Sequence, residues 1–446
     1  MTEREFATDV VRRLRAAGHR ALWAGGCVRD MLLGREPHDY DVATDATPEQ
    51  IKNLVRCTDK HGAVFGVVEA LGPRTPAGRV TVEVATFRSD GSYSDGRHPD
   101  AVVFSSPEED ARRRDFTVNG MFFDPLEGKY IDYVGGQEDL HNGILRAIGD
   151  PAQRFAEDKL RLLRAVRFAT RFGLTLDPAT AHAIRAMAGE ITVVSAERIA
   201  DELRKLLTDP RRAAGMRLMD EVALVTPILP EAEAMKGQPQ GPPAAPVGNV
   251  WTHTLRVLEL LPADASFPLA FAALLHDVGK PGTVGRTPER YTFHGHDLRG
   301  RDMAGRICVR LKLSNAERER VEWLVGMHIY LCDAPRMKAS KLKPVLAHPG
   351  VRELLALHRA DAAAWDRSVE HVEFCERKLA EWTTEELTPP PVLTGDDLLE
   401  MGIKPGPVYK RLLDAVREAQ LDGTVTTTEQ AVELVKRLLK EWGEPE

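Results

Sequence analysis

No apolar run in the 446-residue chain approaches the roughly 20 residues that a membrane-spanning helix needs. That excludes a helical membrane protein. Cysteine is scarce: Cys27, Cys57, Cys308, Cys332 and Cys375 are scattered and never spaced as C-x-x-C. This argues for reduced thiols and against a zinc ribbon. Excess positive charge is also missing, since the formal net charge is −7, so any contact with nucleic acid must use local basic faces. There is no internal repeat. The first residues, Met1-Thr2-Glu3-Arg4-Glu5, open a polar amphipathic helix with Thr2 and Glu5 spaced as a capping box. With no anchoring segment, the expected location is cytoplasmic.

What is present divides along the chain. The length exceeds one hydrophobic core, so several domains are expected. Up to about Asp150, short β-like runs alternate with Gly- and Pro-containing turns and a few helices, which predicts an α/β head over 1–150. From Pro151 apolar residues recur at helical spacing through Leu160, Leu163, Val166, Phe168 and Phe172, predicting a helical neck over 151–235. Lys236 to Pro246 is too rich in proline, glycine and polar residues to pack and predicts a linker over 236–249. A second helical region follows over 250–386, and Pro389-Pro390-Pro391 sets off a helical tail over 387–446. The fold class is α+β, an α/β head followed by all-helical domains.

Two motifs in the first half belong to one kind of chemistry. Asp39-Tyr40-Asp41 follows Gly25-Gly26-Cys27-Val28-Arg29-Asp30, and alternate residues of a strand share a side, so Asp39 and Asp41 project together. Two hard carboxylates suit a pair of Mg(II) ions. An exposed D-x-D is ordinarily a solvated turn, but here Leu22-Trp23-Ala24 reads as a buried strand running into adjacent glycines, whose amides can approach phosphate. Val80 to Phe87 alternates like a strand that can lie beside D-x-D and bring Glu83 to the metals. Further on, Asp158 and Arg161 are spaced to share a helical face. They fit either an ordinary ion pair or a base reader, the carboxylate accepting from the amino group of cytosine or adenine and the guanidinium donating to the ring acceptor.

The ordered set Gly-Gly-x-Val-Arg-Asp, Asp-Tyr-Asp, Glu-Val-Ala-Thr-Phe-Arg, Arg112-Arg113-Arg114-Asp115-Phe116-Thr117-Val118-Asn119, Asp132-Tyr133-Val134-Gly135-Gly136 and Glu157-Asp158-Lys159-Leu160-Arg161 resembles class II tRNA nucleotidyltransferases (CCA-adding enzymes) and their bacterial poly(A) polymerase relatives. The resemblance runs from about Leu22 to Leu203. It implies a polymerase β-like head with Asp39, Asp41 and Glu83 as catalytic carboxylates. It also implies nucleotide contacts from Gly25, Gly26, Arg29, Arg114 and Asp115, the last approaching a ribose hydroxyl. Asp158 and Arg161 would read the base, with Arg164 and Arg167 facing phosphate or the paired network. The paired glycines Gly135-Gly136 suit a hinge. Gly120 stands where the family commonly has alanine. Arg88 to Pro99 looks like the full flexible loop that enzymes adding only CC lack.

The second helical region carries another constellation. His253, then His276-Asp277 at the end of an apolar run, and His294, His296, His328 and Asp361 resemble the HD phosphohydrolase superfamily, in which such residues hold a divalent metal. Order and residue type assign His253, His276, Asp277 and Asp361 as ligands, with His296 and His328 for a second ion. A fold retained only to hold RNA is the bland alternative. In the tail, Leu393 to Pro407 reads as a capped helix and a tight turn, either a packing hairpin or a phosphate contact.

These readings converge on a template-independent ribonucleotidyltransferase that uses CTP and ATP to add CCA to tRNA 3′ ends. Terminal A addition and poly(A) synthesis are alternatives within the family. A metal phosphohydrolase centred on His276-Asp277 and a non-catalytic RNA-binding protein are the alternatives outside it.

Overall fold

The computed structural model describes residues 1–58, 66–76, 78–90, 102–244 and 247–442. They form two compact units, Met1–Pro230 and Glu231–Glu446. Among the described residues, no helix is long and apolar enough to cross a membrane.

The first unit is built on a mixed sheet of β1 (Ala21–Ala24), β2 (Asp41–Thr44), β3 (Cys57–Thr58), β4 (Val67–Thr75) and β5 (Gly78–Thr86). Beyond the small β6 (Arg88–Asp90) and β7 (Val102–Phe104) hairpin, it is completed by β8 (Phe122–Asp124) and β9 (Lys129–Ile131). The strand order is β3-β4-β5-β2-β1-β8-β9. Within this sheet, among the described residues, only β2 and β5 pair in parallel, with Val42 opposite Val84, and this register brings Asp41 alongside Glu83. Strand alternation makes the layers: Leu22 and Ala24 pack with Ala43, Phe87 and Phe122 on one face. Trp23 points to the other, where its ring meets Tyr40 at 4.8 Å and Phe123 at 5.5 Å. The expected capping box of Thr2 and Glu5 opens the helix Glu3–Ala16, whose Val10 and Leu14 are buried.

Two expectations change in the structure. Asp39 precedes the strand and is exposed, so only Asp41 of the D-x-D is a strand residue. The basic helix is broken: Pro151–Glu157 and Leu160–Phe172 are separate, and Asp158 sits between them in an extended conformation (φ −146, ψ 106). Asp158 and Arg161 therefore do not share a helical face. The apolar spacing read for Leu160–Phe172 is seen, with Leu160, Leu163, Val166, Phe168 and Phe172 buried. Of the Arg88–Pro99 loop, the part beyond Asp90 lies outside the described residues.

The second unit is helical. Phe267–Leu275 is buried throughout most of its length and packs against Val250–Leu260, Asn315–Met327 and Val351–Ala364. The tail forms its own small core from Leu398, Leu412, Val416, Val435 and Leu439, the packing-hairpin reading of the Leu393–Pro407 segment. Within the stretch expected not to pack, Gln238 and Gln240 are buried, while Pro242, Ala244, Val247 and Gly248 are exposed. Met235 is buried in the helix Glu231–Gly237. Val247 N–H donates to the Gln240 carbonyl at 2.8 Å, and Val250 N–H to that of Gln238 at 3.0 Å. Backbone pairing across the loop satisfies the polar groups that composition alone leaves open.

The paired glycines have a packing role. Asp132 accepts from the amides of Val134, Gly135 and Gln137, fixing the turn. A Cβ on Gly136 would lie 2.2 Å from the Thr117 carbonyl oxygen, whereas Gly135 takes a positive φ of +78 in open space, so Gly136 provides close backbone approach and Gly135 the left-handed turn. Gly120 is similar: its Cβ would meet Val134 Cγ2 at 2.7 Å. Gly136→Ala should destabilise the first unit by about 1–3 kcal/mol, read as a lower urea midpoint; an unchanged midpoint would show that this contact is soft.

Candidate functional site

A cleft of about 510 Å³ in the first unit gathers most of the residues singled out in the sequence. Gly25, Gly26, Arg29, Asp41, Arg114, Asp115, Asp158, Arg161 and Arg164 all line it. Gly25 is in a positive-φ conformation (φ +71), and a Cβ there would lie 2.9 Å from Arg114 Nη1, so glycine is needed both for the turn into the helix Gly26–Leu32 and for room beside this guanidinium. Arg114 is held by the buried Asp110 (3.0 Å), which also binds Arg113 (2.7 Å). Arg29 is buried, paired with Asp30 at 2.8 Å and stacked 4.0 Å over Phe172.

Asp41 faces a second concavity shared with Asp39 and Glu83. Burial, then the charge of Glu83, pushes the Asp41 carboxyl up to about 6 despite Arg114. Crowded carboxylates that repel one another, all hard oxygen donors, suit a divalent cation such as Mg(II).

Asp158 and Arg161 line the same cleft without pairing to each other. Asp158 caps the Leu160 amide (3.0 Å) and binds Arg198 (2.8 Å), whereas Arg161 pairs with Glu157 and donates to the Arg154 carbonyl at 2.8 Å. The ion pair considered from their spacing is thus absent, and each group is braced by other partners. Asp115 is buried and accepts four hydrogen bonds, from the Phe116 amide, Asn119 and two from Arg164 at 3.0 and 2.6 Å. Asp115 thus anchors Arg164 and Asn119 at the cleft wall. Arg167 does not reach the cleft; it is buried against Glu202 and 4.1 Å over Phe168. Asp110, Arg198 and Glu202 escaped the sequence reading. Arg198 and Glu202 lie on Ala196–Leu207, remote in sequence from their partners, and nothing local marks them.

In the second unit, His253, His276 and Asp277 converge, as do Asp277, His296 and His328. Asp361 joins the first group, 2.9 Å from His253 Nε2. His294 is exposed and stands apart. Nδ1 of His276, His296 and His328 lies 2.8, 2.6 and 2.6 Å from the carbonyls of Ala273, Phe293 and Val325. A carbonyl only accepts, so these Nδ1 atoms carry protons and their Nε2 lone pairs point inward. The inward nitrogens then crowd, His253 to His276 at 3.3 Å and His296 to His328 at 3.1 Å. Burial lowers His296 to about 4, whereas at His276 the adjacent Asp277 outweighs burial and raises it. Asp277 places Oδ2 beside His276 and Oδ1 beside His296 and His328, the disposition of a carboxylate able to serve two ions. Lys280 links Asp277 to Gln240 of the Pro-rich stretch, a connection with no signal in the sequence.

Comparison with known proteins accounts for both sites. Residues 21–146 match the Poly A polymerase head domain, 173–236 the probable RNA and SrmB-binding site of polymerase A, and 250–366 the HD domain. The A-adding tRNA nucleotidyltransferase of Deinococcus radiodurans is 34% identical over 441 residues, 94% of this chain and 96% of that protein. The chain belongs to the tRNA nucleotidyltransferase and poly(A) polymerase family. It is a nucleotidyltransferase, and both its head and its HD domain imply divalent metal use. Poly(A) polymerase I of Escherichia coli O6:H1 is 39% identical over 238 residues, but this covers only 51% of this chain and 50% of that protein. The crystal structure of Bacillus stearothermophilus CCA-adding enzyme in complex with CTP superposes over 99% of both chains with a TM-score of 0.70 at 27% identity.

The buried Asp115–Arg164 pair has a pH signature. Burial alone would raise the Asp115 carboxyl, but Arg164 outweighs it and lowers it from 3.8 to about 2. The stability this contributes, about 2 kcal/mol, is therefore complete above pH 3.8 and lost as pH falls toward 2. The stability gap between wild type and Arg164→Met should be widest at neutral pH and shrink below pH 4; a pH-independent gap in denaturation measurements would mean that Arg164 acts by packing alone.

Proposed function

We propose that the protein adds C, C and A to tRNA 3′ ends from CTP and ATP, without a nucleic-acid template. The observation that carries this reading is that Asp158 and Arg161 line the same cleft as Asp41. A carboxylate and a guanidinium, each fixed by its own partner, match the amino group and ring acceptor common to cytosine and adenine and mismatch guanine and uracil. On this reading the head, 1–150, supplies the chemistry and the neck, 151–235, the choice of base.

The terminal 3′ hydroxyl attacks the α-phosphate, a new P–O bond forms, and pyrophosphate leaves. Asp39, Asp41 and Glu83 would hold Mg(II), which would supply charge stabilisation to the attacking and leaving oxygens. Gly25 and Gly26 allow close approach of the triphosphate, and Arg114 and Arg29 set positive charge against it. Arg164, anchored by Asp115, keeps its guanidinium at the cleft wall between phosphate-binding and base-reading groups. Arg167 acts at one remove, through the Glu202 pair that seats the base-reading helix.

A-only addition is the second reading, favoured by the near full-length match to an A-adding enzyme. Transcripts ending before, within and after CCA, offered CTP and ATP singly and together, separate the two: CMP incorporation is expected, and its absence overturns the CCA reading. Asp41→Ala should lower addition at least 100-fold, since loss of a metal ligand removes several kcal/mol of transition-state stabilisation; near wild-type rates in the folded variant would refute the carboxylate assignment. Arg161→Ala should relax selection against GTP and UTP by about 5- to 150-fold, from a contact worth roughly 1–3 kcal/mol. Unchanged misincorporation would reduce the base-reading pair to a structural role.

The second unit is proposed as a metal phosphohydrolase acting on phosphate or 2′,3′-cyclic phosphate ends, with His253, His276, Asp277 and Asp361 as ligands and His296 and His328 completing a second position. Because the cleft and this cluster lie in different units, His276→Ala/Asp277→Ala should abolish phosphate release from a 2′,3′-cyclic nucleotide with Ni(II), Mn(II) or Mg(II) and leave tRNA extension intact. No release by the wild type with any of these metals would make the domain structural.

A further inference from the structure

We propose that Cys332, His358 and His371 form a separate zinc(II) site, held by one thiolate and two imidazoles. Cys332 sits in the 3-10 turn Tyr330–Arg336, His358 in the helix Val351–Ala364, and His371 in the first turn of the helix Glu370–Glu381, which packs on that turn. One donor atom from each lies within 4.8 Å of the other two. None of the three is among the six residues assigned to the His276–Asp277 cluster, and that cluster contains no sulfur.

His358 carries the strongest signal. It is 2% exposed, and its Nε2 lies 3.1 Å from the Met327 carbonyl. The carbonyl can only accept, so the proton is on Nε2 and Nδ1 keeps its lone pair. A metal-binding imidazole is commonly oriented in this way by a backbone carbonyl on its other nitrogen. Its ring meets that of His371 at a centroid distance of 5.4 Å and an angle of 67°, edge to face, leaving nitrogen edges free to converge. His371 is half-buried and Cys332 is exposed, so an ion has a way in. Asp361, one turn from His358, places negative charge near both Cys332 and His371.

Zinc bonds of roughly 2.0–2.3 Å in tetrahedral array place donors about 3.4–3.6 Å apart. Closing from separations of up to 4.8 Å requires about 1 Å of movement, within the reach of χ rotation at the two accessible side chains while His358 stays fixed. Thiolate and imidazole together favour zinc over Mg(II) or Ca(II). The thiol proton is released to solvent on binding, and three protein donors leave the fourth position to water.

Cobalt(II) titration of the full-length protein is the test, because a cysteine thiolate bound to cobalt gives a near-ultraviolet charge-transfer band that histidine and aspartate ligands cannot produce. The wild type should show this band, with the amplitude of one thiolate-bound cobalt per chain at saturation and bleached by zinc(II). Cys332→Ser should abolish it while the visible absorption from cobalt at the sulfur-free cluster remains. His371→Ala, at a half-buried position that should not compromise folding, should weaken the cobalt affinity of the thiolate site at least tenfold. The proposal is overturned if the wild type shows no such band at saturating cobalt, if the band survives in Cys332→Ser, or if His371→Ala leaves its affinity unchanged.

Discussion

The cleft of the first unit depends on one buried contact, the forked pair between Asp115 of the head and Arg164 of the neck helix. Its two hydrogen bonds, 3.0 and 2.6 Å long, tie the segment that follows the arginine run to the helix whose first turn carries Arg161. A buried carboxylate without a partner is costly, so the position of Arg164 is set by necessity as well as attraction. From that anchor the other wall groups follow: Asn119 shares the Asp115 carboxylate and also accepts from Arg29, and Arg29 in turn stacks on Phe172 at the far end of the same helix. Head and neck are held by a continuous polar network in which each carboxylate has a stated guanidinium.

The second unit solves a different electrostatic problem. There, imidazole Nε2 atoms meet at hydrogen-bond distance, with backbone carbonyls behind the rings of His276, His296 and His328. Asp277, with Lys280 beside it, sets the local charge that a cation among the rings would meet. The Trp365 ring stacks on His253 at 4.9 Å and closes one side of the cluster to water. A buried group of this kind binds metals readily because the orienting hydrogen bonds are already made.

Much of this was legible in the order of residues. A short apolar run marked β1, period-two alternation marked β5, helical spacing marked Leu160–Phe172, and the six head and neck motifs with the His-Asp set named the family and nearly all of the cleft and cluster residues. Local inference missed some contacts. Proline and glycine between 236 and 246 suggested a linker, and within it Gln238 and Gln240 are buried with hydrogen-bond partners. Spacing alone put Asp158 on a helical face, although the chain breaks there and frees its carboxylate to cap one helix and bind another.

The sequence by itself determined which chemical groups are present and in what order, and with them the family, the α/β head and the helical remainder, because periodicity and motif spacing are properties of neighbouring residues. Only the tertiary structure decided which groups are free to meet a ligand. Arg161 and Arg167 are the same residue type on one helix, yet one lines the cleft and the other is buried against Glu202. Asp39 and Asp41 look equivalent as a motif, yet one is exposed and the other lies in the strand beside Glu83. The physical reason is that availability depends on partners supplied from far along the chain, and desolvation and pairing act through space, whereas the sequence records only adjacency.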